Sequence, residues 1–289
     1  MALHIRKNEK EGIDMLKRIL TGVIAISIFV PFLIFSHTLA FPIIMGFCAA
    51  ISVWEMLHCA GLHKNFWLSL PLYPVAAVMP FVMRWFKLEV ALIVGLMSIL
   101  LLMLYVFAVS VLGHKKVGVT DAAAVFMTFI YSVAGFTAII FLRDYIEGGQ
   151  YMYLMVFIGA WITDTFAYFG GRLFGKHKLI PEVSPKKTIE GSISGTLFGL
   201  LSFVAFAFIY NQWLLPDGGT AIPYWVMILV GFVTAIVSQI GDLSMSVLKR
   251  HYGIKDYGKI FPGHGGILDR FDSVLPVAVV MACTLGLLL

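Results

Sequence analysis

The sequence predicts an all-α polytopic membrane protein, and three observations support this fold class. Hydrophobic residues make up 60% of the 289 residues and charged residues only 13%, whereas a soluble domain is about half apolar and about a quarter charged. The apolar residues form continuous runs of roughly 20, the length of a transmembrane helix, rather than the alternating segments of a membrane barrel. The Lys and Arg residues are concentrated in alternate connecting segments.

Nine apolar runs predict about nine transmembrane helices in a single membrane domain, 1–289, behind a basic segment, 1–18. The third run is the least regular, because Pro71, Pro74 and Pro80 interrupt it. Prolines are tolerated in such helices when neighbouring groups satisfy the freed carbonyls. The runs are 19–36, 39–58, 66–83, 88–112, 122–142, 151–171, 193–215, 223–247 and 273–289.

The distribution of basic residues predicts the orientation. If the N-terminus is cytoplasmic, the cytoplasmic segments 1–18, 59–65, 113–121, 172–192 and 248–272 hold 18 of the 21 Lys and Arg residues. The opposite side then holds only Arg84, Lys87 and Arg143. The positive-inside rule favours this topology, so the net charge of +5 marks a membrane orientation rather than affinity for nucleic acid.

Two intramembrane carboxylates are the first candidate site residues. Asp164 lies about 12 Å below the cytoplasmic end of its helix, and Asp242 about 10 Å below that of another, at 1.5 Å per residue. Acidic groups at such depths are costly and usually functional. The alternative is a pair of isolated polar contacts between helices.

Helical spacing adds neighbours to Asp242. Gln239, Asp242, Ser246 and Lys249 are 3, 4 and 3 residues apart and therefore share one helix face. Ser246 is predicted to bind substrate. Carboxylates that converge in a partly dry pocket need a cation, and oxygen ligands favour Mg²⁺. Asp242 and Asp269 are the predicted metal ligands, with Asp164 nearby.

The last cytoplasmic segment contains a glycine-rich turn that opens onto the final helix. Glycine amides and a helix N-terminus both favour anionic oxygens, so we expect a phosphate to bind here. Lys249 and Arg250 precede the turn and Arg270 follows it. The turn residues predicted to bind substrate are Gly263, His264, Gly265 and Gly266.

The segment 172–192 is equally basic and is predicted to face the same side. Ordinary positive-inside charge accounts equally well for Lys176 and Lys178, but a basic loop also suits a triphosphate or an acidic headgroup. The residues predicted to bind substrate here are Arg172, Ser184, Lys186 and Lys187.

Two glutamates have no assigned role. Glu55 stands alone in the second apolar run, where structural pairing with a polar neighbour is favoured over catalysis. Glu190 precedes a predicted helix and could cap that helix, bind a metal or pair with a lysine.

Two stretches together resemble the phosphatidate cytidylyltransferase family, also called CDP-diacylglycerol synthases. The resemblance is dense over 161–272 and is limited to general hydropathy before residue 150. The first stretch is Trp161-x-x-Asp164-Thr165-x-Ala167-Tyr168, Gly171-Arg172, Gly175-Lys176 and Ser184-Pro185-Lys186-Lys187-Thr188-x-Glu190-Gly191. The second is Ser246-Val247-Leu248-Lys249-Arg250, Lys255-Asp256 and Pro262-Gly263-His264-Gly265-Gly266-Ile267-Leu268-Asp269-Arg270-Phe271-Asp272.

The resemblance implies a reaction in which CTP and phosphatidate form CDP-diacylglycerol and pyrophosphate with Mg²⁺, and it leaves room for a second, monovalent cation such as K⁺. It implies catalytic roles for Asp164, Asp242, Lys249, Arg250 and Asp269. It also allows a homodimer, although no sequence feature locates an interface.

Two other functions are compatible with the sequence. A CTP-dependent polyprenol or phytol kinase is the nearest alternative, and an ion-coupled transporter is the alternative from another class, because buried carboxylates also suit carriers. The short N-terminal segment without a transit sequence predicts a bacterial inner membrane, with the site facing the cytoplasm. Acyl-chain preference, selectivity between CTP and dCTP and the number of metal ions are not predicted.

Overall fold

The computed structural model describes residues 27, 29–112, 117–261 and 265–288. Residues 29–34 are helical, and ten α-helices follow, with a two-stranded hairpin between α6 and α7 and a π-helical turn, Tyr210–Leu214, directly after α7. These elements are α1 (Ala40–Cys59), α2 (Phe66–Trp85), α3 (Leu88–Leu112), α4 (Val119–Asp144), α5 (Gly149–Met152), α6 (Leu154–Phe174), β1 (Lys178–Ile180), β2 (Ser184–Thr188), α7 (Ile189–Ile209), α8 (Tyr224–His251), α9 (Leu268–Phe271) and α10 (Val274–Leu288).

The predicted all-α polytopic class is confirmed. Seven helical segments in the described residues are long and apolar enough to cross a membrane, with α5 and α6 counted as one segment, and α10 is a shorter apolar helix. The first predicted run, 19–36, lies mostly outside the described residues. The total of nine helices and the side of the N-terminus therefore stay predictions.

The proline-containing run forms one continuous helix. α2 contains Pro71, Pro74 and Pro80 and extends to Trp85. Its first turn is capped by Asn65, whose side chain accepts a hydrogen bond from the Leu68 amide at 3.3 Å. Capping satisfies one of the amides that a helix start leaves free, so the local sequence supports a helix despite the prolines.

The site-bearing helices pack closely around α8 and α10. α7 packs against both α6 and α8, and α10 packs against α4 and α8. Glycines allow these approaches: a Cβ at Gly135 of α4 would lie 2.6 Å from the Leu275 side chain, and one at Gly241 of α8 would lie 2.5 Å from Pro276. α9 and α10 are therefore held in place by contacts with helices from both halves of the chain.

The basic segment between α6 and α7 is partly regular. It was predicted as a loop over 172–192, but α6 continues to Phe174 and a hairpin follows. β1 and β2 are antiparallel, with Lys178 opposite Thr188 and Ile180 opposite Ser184. Thr188 then caps α7 by accepting a hydrogen bond from the Gly191 amide at 3.2 Å. The hairpin holds the lysines of β2 in a defined place beside the helices.

Candidate active site

One cavity of about 880 Å³ brings the chemically active residues together. Its wall is built by the helical segment 29–34, α1, α6, the hairpin, the start of α7, α8, the segment after α8 and the region of α9 and α10. One part of the wall is apolar and the other is densely charged. The charged lining residues are Asp164, Arg172, Lys186, Lys187, Asp242, Lys249, Asp256, Asp269, Arg270 and Asp272.

Four of the lining carboxylates come from helices that are distant in sequence. α6 contributes Asp164 and α8 contributes Asp242, so two carboxylates predicted at similar depths do face one cavity. Asp269 and Asp272 come from α9 and its end, and both are buried. The Ser273 hydroxyl donates to Asp164 Oδ2 at 3.0 Å, which ties α6 to the start of α10.

Each of the two predicted metal ligands is paired with a lysine. Lys187 of β2 forms an ion pair with Asp242. Lys249 Nζ lies 3.0 Å from Asp269 Oδ1 and 3.9 Å from Asp272 Oδ2. Burial, with repulsion from Asp242, raises the pKa of Asp272, whereas Lys249 opposes this rise. The lysines thus balance carboxylates that would otherwise repel one another.

Asp269 also organises the segment that precedes it. Its Oδ2 accepts hydrogen bonds from the Tyr257 amide at 2.8 Å and from the Gly266 amide at 2.9 Å. Burial raises the pKa of Tyr257, so its hydroxyl stays protonated and donates to Met245 O at 3.0 Å. The Asp269 side chain is only 2% exposed. It therefore holds the segment's backbone as well as facing the cavity.

Glu55 of α1 binds the same segment from the other side. Its carboxylate accepts hydrogen bonds from the Ile267 amide at 2.9 Å and the Leu268 amide at 2.8 Å. The prediction favoured structural pairing for this residue, and its partners are backbone amides at the start of α9.

The hairpin is anchored by the other unassigned glutamate. The Glu190 carboxylate accepts hydrogen bonds from the His177 amide at 3.2 and 3.3 Å, and its Oε1 lies 2.7 Å from His177 Nδ1. These contacts connect the start of α7 to the residue before β1. This tie to the hairpin differs from the three predicted alternatives for Glu190, which were a helix cap, a metal ligand and a lysine partner.

The predicted substrate-binding residues divide into two groups. Arg172, Ser184, Lys186, Lys187 and Arg270 line the cavity together with Gln239 and the carboxylates. Ser246, Gly265 and Gly266 are not part of its lining, and neither is Arg250, which is a predicted catalytic residue. Gly263 and His264 lie outside the described residues.

The second group has partners elsewhere in the chain. Arg250 is exposed, and its Nε donates to Val183 O in the hairpin turn at 3.5 Å. The Gly265 amide donates to Phe261 O at 3.1 Å, and the Gly266 amide donates to Asp269. Because both glycine amides already donate within the protein, their role as phosphate donors stays a prediction.

The donor set suits a magnesium ion that arrives with its nucleotide. Within the described ranges, no three His, Cys, Asp or Glu side chains are grouped as a metal site. Mg²⁺ is commonly bound by one or two carboxylates together with substrate phosphates and water. Asp242 and Asp269 face the same cavity from different elements, so the chain's donors fit such a shared site.

Three further residues at the site carried no clear sequence signal. Tyr131 of α4 donates its hydroxyl to the Asp272 carbonyl, and Tyr257 and Ser273 form the contacts given above. Each uses a common side chain to bind backbone or carboxylate oxygen from a distant segment. Glu55 differs from these three residues, because an isolated acid within an apolar run is recognisable in the sequence.

The apolar helices define an integral membrane protein, and its cavity places charged side chains of both signs beside an apolar wall. A sequence model described as the cytidylyltransferase family matches residues 16–288. Phosphatidate cytidylyltransferase of Staphylococcus haemolyticus is 34% identical over 268 residues, covering 91% of this chain and 97% of that protein. The protein of the same name from Staphylococcus aureus is 34% identical over 273 residues, with the same two coverages.

The chain belongs to the cytidylyltransferase family, and it is therefore an enzyme of the nucleotidyltransferase class. The resemblance found in the sequence is confirmed, and the comparisons do not favour a polyprenol kinase or a transporter.

Proposed function

We propose that this enzyme converts CTP and phosphatidate into CDP-diacylglycerol and pyrophosphate in phospholipid biosynthesis. The observation that carries the proposal is a single cavity with an apolar wall beside a charged one. Phosphatidate needs both, because its acyl chains are apolar and its headgroup is anionic. The apolar lining residues include Phe29, Phe32, Ile44, Met45, Phe157 and Trp161.

The apolar wall offers the lipid a path from the side. Ile44 and Trp161 line the cavity and keep 42% and 46% of their surface exposed. Exposed apolar side chains on transmembrane helices face lipid tails. The acyl chains can therefore stay in the bilayer while the headgroup reaches the carboxylates and lysines.

The charges of the cavity support a requirement for an added cation. Its lining contains five carboxylates and five Lys or Arg side chains, so it is close to neutral before substrates bind. CTP and phosphatidate both bring negative charge into this space. Mg²⁺ would supply the missing positive charge and stabilise the pyrophosphate that leaves. Asp242 and Asp269 would hold it, and a second, monovalent cation such as K⁺ is compatible with Asp164 and Asp272 nearby.

The proposed reaction is one displacement at phosphorus. An oxygen of the lipid phosphate attacks the α-phosphorus of CTP, a new P–O bond forms, and the bond to the β-phosphate oxygen breaks. Such transfers depend mainly on positioning and on charge neutralisation. The cavity cations available for this task are Arg172, Lys186, Lys187, Lys249 and Arg270. We propose that Arg250, near the end of α8, acts where the substrates enter the cavity.

The lysine–carboxylate pairs suggest how the site adapts to its substrates. Lys187 neutralises Asp242, and Lys249 neutralises Asp269. If Asp242 and Asp269 held a cation, Lys187 and Lys249 would be free to bind phosphate oxygens. Both states then keep opposite charges together, which limits the cost of burying them.

The remaining features of the proposal concern location and assembly. The site faces the cytoplasm, where CTP is available, and the enzyme lies in the inner membrane of a bacterium. The basic segments on one side support this orientation. The enzyme binds no nucleic acid, and it can act as a homodimer.

The test is CTP-dependent synthesis of CDP-lipid by the purified enzyme, with and without Mg²⁺. We expect Asp242→Asn and Asp269→Asn each to lower the rate about 100-fold or more, as expected when a group that stabilises transition-state charge is lost. Asp217→Asn is the control, because Asp217 is exposed in the segment between α7 and α8. Full activity in either site variant would remove that residue from the metal role.

Two further outcomes would change the assignment. Phosphorylation of an isoprenoid alcohol without turnover of phosphatidate would overturn the substrate. Counter-transport of an ion in proteoliposomes without CDP-lipid synthesis would indicate a carrier instead.

A further inference from the structure

Glu55 is a completely buried carboxylate in a helix that contributes no other acidic side chain to the site. It is 0% exposed. Its hydrogen-bond donors in the described structure are the amides of Ile267 and Leu268, which are 212 and 213 residues away in sequence. A buried carboxylate is costly unless its oxygens are satisfied. Two short amide bonds at the start of α9 satisfy this one.

The segment before α9 is shaped to admit this carboxylate. A Cβ atom at Gly258 or at Gly266 would overlap the Glu55 carboxyl group. Gly266 does not have a positive φ, unlike Gly265, so its conformation alone does not require glycine. The missing side chain leaves the space that Glu55 occupies.

Glu55 and Asp269 accept hydrogen bonds from adjacent parts of the same backbone segment. Asp269 accepts the amides of Tyr257 and Gly266, and Glu55 accepts the next two amides, those of Ile267 and Leu268. Three consecutive amides are thereby bound by two carboxylates from different helices. Because Asp269 is bonded to this segment, a shift of the segment would also displace Asp269 relative to Lys249 and the cavity.

We propose that Glu55 is a positioning residue that holds the backbone of residues 266–268 so that Asp269 faces the substrates and their cation. The proposal rests on the proposed function of the cavity. Glu55 itself does not touch the substrates. It acts through α9, and it makes the first half of the chain a part of the site.

The central test is Glu55→Gln, which keeps the shape of the side chain. An amide group can accept from one backbone N–H but presents its own NH₂ to the other, so one of the two bonds is lost. We expect hydrogen exchange in peptides covering residues 265–272 to become about tenfold faster, and the Mg²⁺ concentration for half-maximal rate to rise about tenfold. Glu55→Ala should show both effects more strongly.

Glu147→Gln is the matched control. Glu147 also accepts a hydrogen bond from a backbone amide, that of Thr220 at 2.8 Å, in another part of the chain. It is outside the cavity lining. This variant should leave both the exchange of residues 265–272 and the Mg²⁺ dependence as in the unmodified enzyme.

A second variant displaces the carboxylate without altering it. In Gly266→Ala the new methyl group occupies the position of the Glu55 carboxyl group. We therefore expect faster exchange of residues 265–272 and a higher Mg²⁺ concentration for half-maximal rate. This variant tests the proposal even if Glu55→Gln does not fold. In Glu55→Ala this space is empty, and adding Gly266→Ala should then cost little more. Equal costs of Gly266→Ala in both backgrounds would overturn the placement of Glu55.

The outcomes separate positioning from stability and from the reaction. Loss of thermal stability in Glu55→Gln with an unchanged Mg²⁺ dependence and unchanged local exchange would show a purely structural role and overturn the proposal. If the unmodified enzyme makes no CDP-lipid, the proposed function fails. The proposed role of Glu55 then fails as well only if the exchange of residues 265–272 is the same in Glu55→Gln and in the unmodified enzyme.

Discussion

Lys249 shows how much one residue can contribute when it is shared. Its Nζ atom approaches Asp269 and Asp272 and lies 5.5 Å from the centre of the Tyr257 ring. The side chain is only 13% exposed. Exposed ion pairs contribute about 0 to 1 kcal/mol, whereas removing one partner of a buried pair costs about 3 to 5 kcal/mol. The position of Lys249 is closer to the second case.

We therefore expect Lys249→Met to be severe. It leaves two buried carboxylates near each other without their shared cation. CDP-lipid synthesis should fall about 100-fold or more, and the free energy of unfolding should fall by about 3 kcal/mol. The measurements are a CTP-dependent assay and thermal unfolding in detergent. Lys259→Met is the control, because Lys259 is exposed, and an equal effect of both variants would show that the loss is nonspecific.

At the scale of an element, the contact between α6 and α7 determines where Asp164 lies. Gly191, Gly195 and Gly199 recur every four residues and form one face of α7. A Cβ at Gly195 would lie 2.6 Å from the carbonyl oxygen of Thr163, the neighbour of Asp164. Small residues at such interfaces let helix backbones approach closely. The position of the carboxylate thus depends on glycines in another helix.

Gly195→Ala is expected to separate the two helices. The methyl group has no room beside Thr163 and Ala167, so α6 must shift and carry Asp164 with it. We expect the free energy of unfolding to fall by about 1 to 3 kcal/mol, as it does when a core is overpacked. We also expect the rate of CDP-lipid synthesis to fall.

Gly95→Ala in α3 provides a matched glycine substitution. The nearest atom to its Cβ would be Met79 Cε at 3.4 Å, an ordinary contact with a flexible side chain. Alanine is favoured over glycine in a helix by about 1 kcal/mol, so this variant should be neutral or slightly stabilising. Equal losses in both variants would contradict the role assigned to the α6–α7 contact.

The hairpin is an element that the sequence did not predict. β1 has only three residues, and β2 is polar, with two lysines and a proline, so neither alternation nor strand propensity identifies them. Their pairing is fixed by tertiary contacts, among them the bonds between Glu190 and His177. The sequence predicted the charge of this segment but not its shape.

At the scale of the molecule, contacts between connecting segments agree with alternating helices. Tyr252 OH donates to Asp121 Oδ1 at 3.3 Å, which joins the end of α8 to the start of α4. Arg84 Nε lies 2.7 Å from Asp144 Oδ2, which joins the ends of α2 and α4. The first contact lies in segments predicted to be cytoplasmic, and the second on the opposite side.

Cysteine accessibility would test this orientation. In a variant whose native cysteines are replaced by alanine, Glu182→Cys in the hairpin turn should react with a membrane-impermeant maleimide in inverted membrane vesicles. Asp217→Cys should react in intact cells instead. Both positions are exposed, so their reactivity reports the side of the membrane. The reverse pattern would place the cavity on the outer face.

Much of the architecture follows from hydropathy, and the details of the site do not. Runs of apolar residues predicted α1 to α4 with boundaries within a few residues, because a membrane helix must satisfy its own backbone. Spacing also predicted that Gln239, Asp242, Ser246 and Lys249 share a face, and all of these except Ser246 line the cavity. These are local properties of single helices.

Contacts between distant segments are different. The pairing of Lys187 with Asp242 depends on the hairpin, and the partners of Glu55 are backbone amides, which any residue other than proline provides. Such partners leave no signature in residue type. The sequence could therefore indicate that Glu55 matters but not what it binds.

The distance along the chain between Glu55 and its partners also has a consequence for biosynthesis. At about 5 to 20 residues per second, the ribosome needs about 10 to 40 seconds to add the 212 residues that separate Glu55 from Ile267. During that interval the early helices are made while the amides that receive the glutamate do not yet exist. A nascent chain arrested before residue 267 should therefore leave Glu55 reliant on temporary partners, such as water or the insertion machinery.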